Sequence, residues 1–232
     1  MAEAERRFLD AVEKAYNDKS PTLYFSYDED LEAIPVAIKA LRETLEVLHV
    51  DNSYSLKWLP PAIGDLGRLR WLNVSYCRLN FLPIELGRLS HLERLYLSNN
   101  RLQSLPMEFW QLKSLEELRL DNNKLRVLPG GILFLPRLET LTLENNPLLT
   151  PEDVLGAAPA TLVPHIMCVD CSNCCVRLRN YEVLITFHNI AALQSVPFVH
   201  CLCSQTCKQH LEVRLAEYDA LHSSVKPSSP SS

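Results

Sequence analysis

Glycine is scarce in this chain, with 6 in 232 residues, and that scarcity removes several enzyme classes. Phosphate-cradling loops and the sharp turn that exposes a nucleophilic serine both need closely spaced glycines. Neither G-x-x-x-x-G-K-[ST] nor G-x-G-x-x-G occurs, and no serine is framed by glycines. No catalytic residue is therefore assigned. Positive charge is also short: the formal net charge is −5 and there is no basic run, which argues against a nucleic-acid surface. Residues 1–18 mix acids and bases and lack the apolar stretch of a signal peptide. The expected location is the cytoplasm, with the nucleus also open to it.

Cysteine is nearly missing from the first two thirds of the chain. Of 8 cysteines, Cys77 stands alone and the rest fall between Cys168 and Cys207. A secreted disulfide scaffold would spread them more widely, and such clustering in a reducing compartment points to metal. From Val183 to Cys203 there is a run of 21 residues without a formal charge, long enough to span a membrane. It contains His188, Asn189, Gln194, Ser195, Pro197 and His200. Two buried strands joined by a turn are expected there, and no membrane contact.

What the chain does have is a phrase repeated every 23 residues. Leu69, Leu92, Leu115 and Leu138 open it, and Cys77, Asn100, Asn123 and Asn146 close it. The spacing L-x-x-L-x-L-x-x-N-x-L-x-x-L-P is seen in Leu92, Leu95, Leu97, Asn100, Leu102, Leu105 and Pro106. This pattern resembles the leucine-rich repeat. Its Leu-x-Leu pair alternates as a strand with one buried face, and the Asn side chain can hold backbone groups where the chain turns away. No unit covers its own apolar edge, so the units must stack. The expected fold is an α/β solenoid, a right-handed superhelix with a parallel sheet on its concave side. Second buried rows are expected at Ile63/Leu66, Leu86/Leu89, Phe109/Leu112 and Ile132/Leu135, with short 3₁₀ pieces beside them.

Five domains or segments follow in order. Residues 1–21 are expected to form an N-terminal capping helix, with Phe8, Leu9, Val12, Ala15 and Tyr16 on one face. Residues 22–149 hold about five full repeats and a truncated last one. The first two are worn, though Leu23, Phe25, Leu31, Ile34 and then Leu45, Leu48, Val50, Leu56 keep the apolar positions. Residues 150–164 read as a linker that opens with a short helix at Pro151. Residues 165–222 form a cysteine-rich module, and the Ser/Pro-rich end, 223–232, has nothing to bury and is expected to be disordered.

In the cysteine-rich module, Cys168 and Cys171 are spaced C-x2-C, and Cys203 and Cys207 are spaced C-x3-C. Two such pairs across a hairpin can place four thiolates around a structural zinc, at about 2.3 Å from sulfur to metal. Cys174, Cys175, Cys201, His165, His200 and His210 are rival ligands, and a buried set of free thiols is the plain alternative. The combination C-x2-C-S, then strands, then Pro197-Phe198-Val199-His200 before Cys203-Ser204 and Cys207 resembles the leucine-rich repeat-containing proteins 28 and 58. This chain departs from them in having fewer repeats and Cys174-Cys175. The resemblance implies an intracellular adaptor, and one member suggests a substrate-binding subunit of a ubiquitin ligase. The repeat class also resembles Ras-adaptor-like signalling scaffolds. A thiol-based redox or zinc sensor using Cys174, Cys175 and Cys201 is a third option.

Outward strand positions stack into columns on the concave side. One column is Val47, Trp71, Arg94, Glu117 and Thr140, the next is His49, Asn73, Tyr96, Arg119 and Thr142, and a third is Asp51, Ser75, Ser98, Asp121 and Glu144. Trp, Tyr and Arg most often anchor interfaces. A protein partner is therefore expected on Trp71, Asn73, Arg94, Tyr96, Glu117, Arg119 and Asp121. Cross-strand pairing such as Arg94 with Glu117 is the plain alternative. His49 beside Asp51 offers an acid–base couple, better explained as two outward strand residues.

Overall fold

Each Leu-x-Leu phrase folds as a three-residue strand, since its central leucine has one apolar side to bury and its neighbours face water. The computed structural model describes residues 3–154, 182–191, 193–202 and 205–222. The strands are β1 (Thr22–Tyr24), β2 (Val47–His49), β3 (Trp71–Asn73), β4 (Arg94–Tyr96) and β5 (Glu117–Arg119), then a two-residue β6 (Leu128–Pro129) and β7 (Thr140–Thr142). All but β6 form one parallel sheet in the order β1-β2-β3-β4-β5-β7. Leu48, Leu72, Leu95 and Leu118 stand side by side in it and are fully buried. The fold is the leucine-rich repeat solenoid.

Each unit returns through a 3₁₀ turn, from Val36–Leu41 to Gly130–Phe134. A proline precedes each of them, such as Pro60 at φ −72° and Pro83 at φ −68°, and it fixes the entry angle. Successive turns stack tightly: a Cβ on Gly87 would lie 2.7 Å from the Glu108 carbonyl oxygen. Ile63/Leu66, Leu86/Leu89, Phe109/Leu112 and Ile132/Leu135 are all buried on this side.

The closing asparagines tie neighbouring units together. Asn100 is buried and donates to the carbonyls of Val74 (2.9 Å) and Leu97 (3.0 Å) while accepting from the Leu79 amide (2.9 Å). Asn123 and Asn146 repeat the pattern one and two units on. Cys77 occupies the same place and makes weaker 3.5 Å contacts to the carbonyls of Val50 and Ser75. Burial pushes its thiol up to about 12, so it stays neutral.

Helix α1 (Glu3–Asn17) covers the first repeat, burying Ala4, Phe8, Val12 and Ala15. Tyr16 was expected on this face and instead is 60% exposed, while Leu9 is half-buried. The buried stripe runs through Ala4, Phe8 and Val12 at i, i+4, i+8, which rotates it away from Leu9 and Tyr16. Phe8 meets Phe25 edge-on at 4.9 Å, and Arg7 is bonded to the buried Asp28 carboxylate (2.8 Å).

After β7 come α2 (Pro151–Val154), β8 (Glu182–Ile190), β9 (Leu193–Leu202) and α3 (Gln205–His222). β8 and β9 form an antiparallel hairpin, and β9 pairs in parallel with β6, Leu128 opposite Phe198. Val196 and Phe198, with Cys207, Leu211, Leu215 and Tyr218 of α3, join the same core cluster as the repeats. The hairpin and helix are thus part of the array's own core at its last unit. Most of the 150–164 segment, residues 165–181 and the 223–232 tail lie outside the described residues. No helix among the described residues is long and apolar enough to cross a membrane.

Candidate functional site

Strand alternation leaves two outward residues on every strand, and the parallel pairing of the strands aligns them. Val47, Trp71, Arg94, Glu117 and Thr140 are register partners, as are His49, Asn73, Tyr96, Arg119 and Thr142. β1 adds Thr22 and Tyr24 to the head of these columns. Sequence reading missed them, although Leu23 as the inward residue was the available signal.

The rings are not confined to one column. Trp71 leans across Asn73 and meets His49 at 4.5 Å and Tyr96 at 5.6 Å, both edge-to-face. Tyr24 lies 4.9 Å from His49 on the other side. The result is a continuous ladder, Tyr24, His49, Trp71, Tyr96, across the first four strands. Edge-to-face pairs of this kind contribute about 0.5–1.5 kcal/mol each. The tryptophan is half-buried by its neighbours rather than fully exposed, and its Nε1–H has no hydrogen-bond partner among the described residues. His49 Nε2 is likewise without one.

Two guanidiniums extend the ladder. Arg94 sits 5.4 Å from the centre of the Trp71 ring and Arg119 4.5 Å from that of Tyr96, within the range of cation–π attraction. Glu117 lies between them. It accepts from the Tyr96 hydroxyl (2.7 Å) and from Arg119 Nε (2.7 Å), whereas Arg94 Nε stays 4.0 Å away. The cross-strand Arg94–Glu117 pair, the plain alternative to a binding role, is therefore present only as a loose contact, because Arg119 on the same strand reaches the carboxylate more closely. Partial burial pushes the Glu117 carboxyl up, and its Tyr96 and Arg119 hydrogen bonds with both arginine charges outweigh that, so the net shift is downward. Asp121 accepts from Ser98 (3.3 Å), Thr142 and the Glu144 amide (3.0 Å). Asn73 accepts from the Ser75 amide (3.1 Å).

His49 and Asp51 do not form a catalytic couple. Their closest approach is 3.8 Å, and Asp51 is engaged by Ser26 (2.6 Å) and Asn52 (2.7 Å). Burial lowers the histidine's proton affinity against the opposing pull of Asp51.

Beside the sheet runs a column in the left-handed backbone region, at Tyr27, Asn52, Tyr76, Asn99, Asn122 and Asn145. Asparagine tolerates that region, and a bulky residue there is an outlier. Tyr27 (φ 63°) and Tyr76 (φ 55°) are nonetheless 75% and 49% exposed. The conformation is that of the turn shared by all six units, so both tyrosines adopt it because of their place in the repeat. Tyr76 stands 23 residues before Asn99, in the column of Asn122 and Asn145, so the repeat gave its place and only the asparagines in that column hinted at the left-handed conformation.

Of the four cysteines singled out, Cys168, Cys171 and Cys203 lie outside the described residues. Cys207 is buried on the inner face of α3. Among the described residues there is no group of three or more His, Cys, Asp or Glu side chains arranged to hold a metal.

The leucine rich repeat family profile matches residues 67–125 and 90–148. Among solved structures, the chain is similar to the leucine-rich repeat ectodomain of the plant membrane receptor kinase GASSHO1/SCHENGEN3 from Arabidopsis thaliana, in complex with Casparian strip integrity factor 2. That likeness has 32% identity and a TM-score of 0.53, over 60% of this chain and 18% of the ectodomain. A leucine-rich repeat protein of Leptospira interrogans shares 32% identity at a TM-score of 0.40, over 53% of this chain and 37% of its own. An internalin from Listeria monocytogenes shares 20% identity at a TM-score of 0.44, over 58% and 37%. This chain therefore spans well under half of each of these proteins. No curated protein matches the sequence. The family profile lies within the repeats.

Proposed function

We propose that this chain is a non-enzymatic intracellular adaptor that captures a protein partner on its concave sheet. The observation that carries the reading is the aromatic ladder with two arginines stacked on it, built from the residue types that dominate binding energy. Solenoids of this class use such extended concave surfaces for recognition. The plant ectodomain of similar fold is in complex with a partner factor. The motif resemblance of the cysteine-rich end favours a substrate-binding subunit of a ubiquitin ligase over a Ras-adaptor-like signalling scaffold.

The test is affinity purification from cells with the wild type beside Trp71→Ala/Tyr96→Ala. Capture of the specific partners is expected to fall at least tenfold, about 1.4 kcal/mol or more. Because Trp71 is half-buried, Arg94→Glu serves as a second variant that leaves the ladder in place. Undiminished capture by both, with thermal unfolding unchanged, would rule the face out.

For the C-terminal end the reading includes a structural zinc on Cys168, Cys171, Cys203 and Cys207, supported by their paired spacing. Four thiolates would close the coordination shell, so the metal would stabilise rather than catalyse. Elemental analysis of purified protein is expected to give close to one zinc per chain, with chelation loosening the hairpin and α3. A metal content near zero and no response to chelator would remove the ion from the account.

A further inference from the structure

The repeat also aligns side chains on the flank where each unit turns away from the sheet. After the closing residue, three successive units read Arg78-Leu-Asn-Phe81, Arg101-Leu-Gln-Ser104 and Lys124-Leu-Arg-Val127. In each, the leucine is buried and the cation before it is exposed. Backbone bonds hold the row in line, since the amides of Arg78, Arg101 and Lys124 donate to the carbonyls of Leu56, Leu79 and Leu102 at 2.8, 2.9 and 2.8 Å. Segments bonded in this way lie about 5 Å apart, so three positive charges follow one another along the solenoid. None of the three makes an ion pair or a side-chain hydrogen bond among the described residues.

The carboxylates around the row are engaged elsewhere or stand at its margins. Asp121 is turned to the sheet, where it accepts from Ser98, Thr142 and the Glu144 amide. The Thr150 amide and hydroxyl, with a smaller pull from Arg126, hold the Asp153 carboxyl below its usual range, so Arg126 is partly balanced and is left out of the row. Glu85 and Glu108 begin the 3₁₀ turns on the convex side. Nor do the segments outside the described residues carry an acidic run: 155–181 has Arg177 and Arg179 against Asp170, and 223–232 has Lys226 and no acidic side chain. Like charges on adjacent segments repel, so this alignment adds nothing to the stability of the fold. At its N-terminal end the row meets apolar surface. Phe81 and Ile84 are both more than half exposed, and Trp58, one unit earlier, is exposed as well.

We propose that this flank is a second docking surface, separate from the concave sheet, for an extended acidic segment of a partner protein. Its carboxylates lie along Arg78, Arg101 and Lys124, and a large apolar side chain at one end seats beside Phe81 and Ile84. The row spans about 10 Å, the length of three or four extended residues. Its narrowness decides the class of partner. One cation per unit, with Asp121 on one side and Glu85 and Glu108 on the other, makes a strip that a peptide chain can follow. A broad anionic surface such as a bilayer would meet those carboxylates too.

The experiment is selection of a random 12-residue peptide display library on the full chain, followed by binding of the synthetic consensus to the wild type and four variants. These are Arg78→Glu/Arg101→Glu/Lys124→Glu, the milder Arg101→Gln, Phe81→Ser, and Trp71→Ala/Tyr96→Ala on the concave side. The three cations are exposed and make no side-chain bond among the described residues, so thermal unfolding is expected to be unchanged, and Arg101→Gln carries the test should the triple reversal not fold. Enriched peptides are expected to hold three or more Asp or Glu within about four residues, beside an aromatic or large aliphatic residue. The consensus should bind the triple variant about tenfold or more weakly, lose affinity as salt rises, weaken on Arg101→Gln and Phe81→Ser, and bind the concave variant as well as the wild type. Enrichment without an acidic run, no enrichment, or equal binding to the charge variants would each overturn the proposal. Pelleting with phosphatidylserine-containing vesicles that is lost on the triple variant, with no acidic peptide selected, would overturn it in favour of a membrane. Peptides lost only on the concave variant would overturn it while leaving the concave sheet as the binding site.

Discussion

Asn100→Ala is expected to lower the unfolding free energy by about 3–4 kcal/mol, measured by urea denaturation beside Gln103→Ala as control. The Asn100 side chain lies inside the turn, only 7% exposed, with the Val74 carbonyl and the Leu79 amide bonded to it. Neither group has another partner among the bonds described, so truncation would strand one buried acceptor and one buried donor, at about 1–3 kcal/mol each. The Leu97 carbonyl escapes because Asn123 also donates to it, at 3.0 Å. Gln103 is exposed and lacks such bonds, so its truncation should stay within about 0.5 kcal/mol. Equal stability of the two variants would mean that the asparagine row is not what joins the units.

That row is incomplete toward the N-terminus, and the gap coincides with the aromatic half of the sheet. In place of asparagine the first units have Asp28, Ser53 and Cys77. The Ser53 hydroxyl is buried without a partner among the described residues, and Cys77 offers a weak donor. Asp28 is turned to a different use, accepting the amides of Asp30 (3.0 Å) and Leu31 (2.9 Å) and holding Arg7 of α1. The units that carry Tyr24, His49 and Trp71 are thus fastened less by side-chain bonds to the backbone and more by the capping helix.

How much of this was legible beforehand follows from the physics of each feature. The strand register could be read because a 23-residue repeat and period-2 alternation leave one consistent alignment, which puts Trp71 beside Arg94 and Asn73 beside Tyr96. The ladder itself could not, because Trp71 reaches His49 only by leaning across a column. The left-handed column was open to the same reading as the register, since Tyr76 stands 23 residues before Asn99 in a row that continues as Asn122 and Asn145. The hairpin was legible as two strands from its uncharged run. Its pairing with β6 joins residues some seventy apart, a contact that local pattern does not encode.

That pairing makes the second large prediction. Gly130→Ala should destabilise the protein by about 3–5 kcal/mol and speed amide exchange in β9, because an alanine methyl would fall inside the His200 imidazole. The ring has no room to yield: it is 3% exposed, and its Nε2 is 2.9 Å from the Thr186 hydroxyl. Overpacking contributes about 1–3 kcal/mol, and the broken buried hydrogen bond adds about 1–3 more. Acid should act on the same contact. Burial, with help from His188 and Arg214, pushes His200 down to about 3 from its ordinary 6.5, so the docked ring is neutral. An undocked ring takes up a proton below about 6.5, and the docked one does not until about 3, so undocking binds protons throughout that window. The stabilisation is therefore complete above about pH 6.5 and declines as pH falls, by ~2 kcal/mol between pH 6.5 and 5. His200→Gln should flatten this slope. A variant with alanine at 130 as stable as the wild type, or a slope untouched by the glutamine, would show that β9 is not held to the repeats through this imidazole.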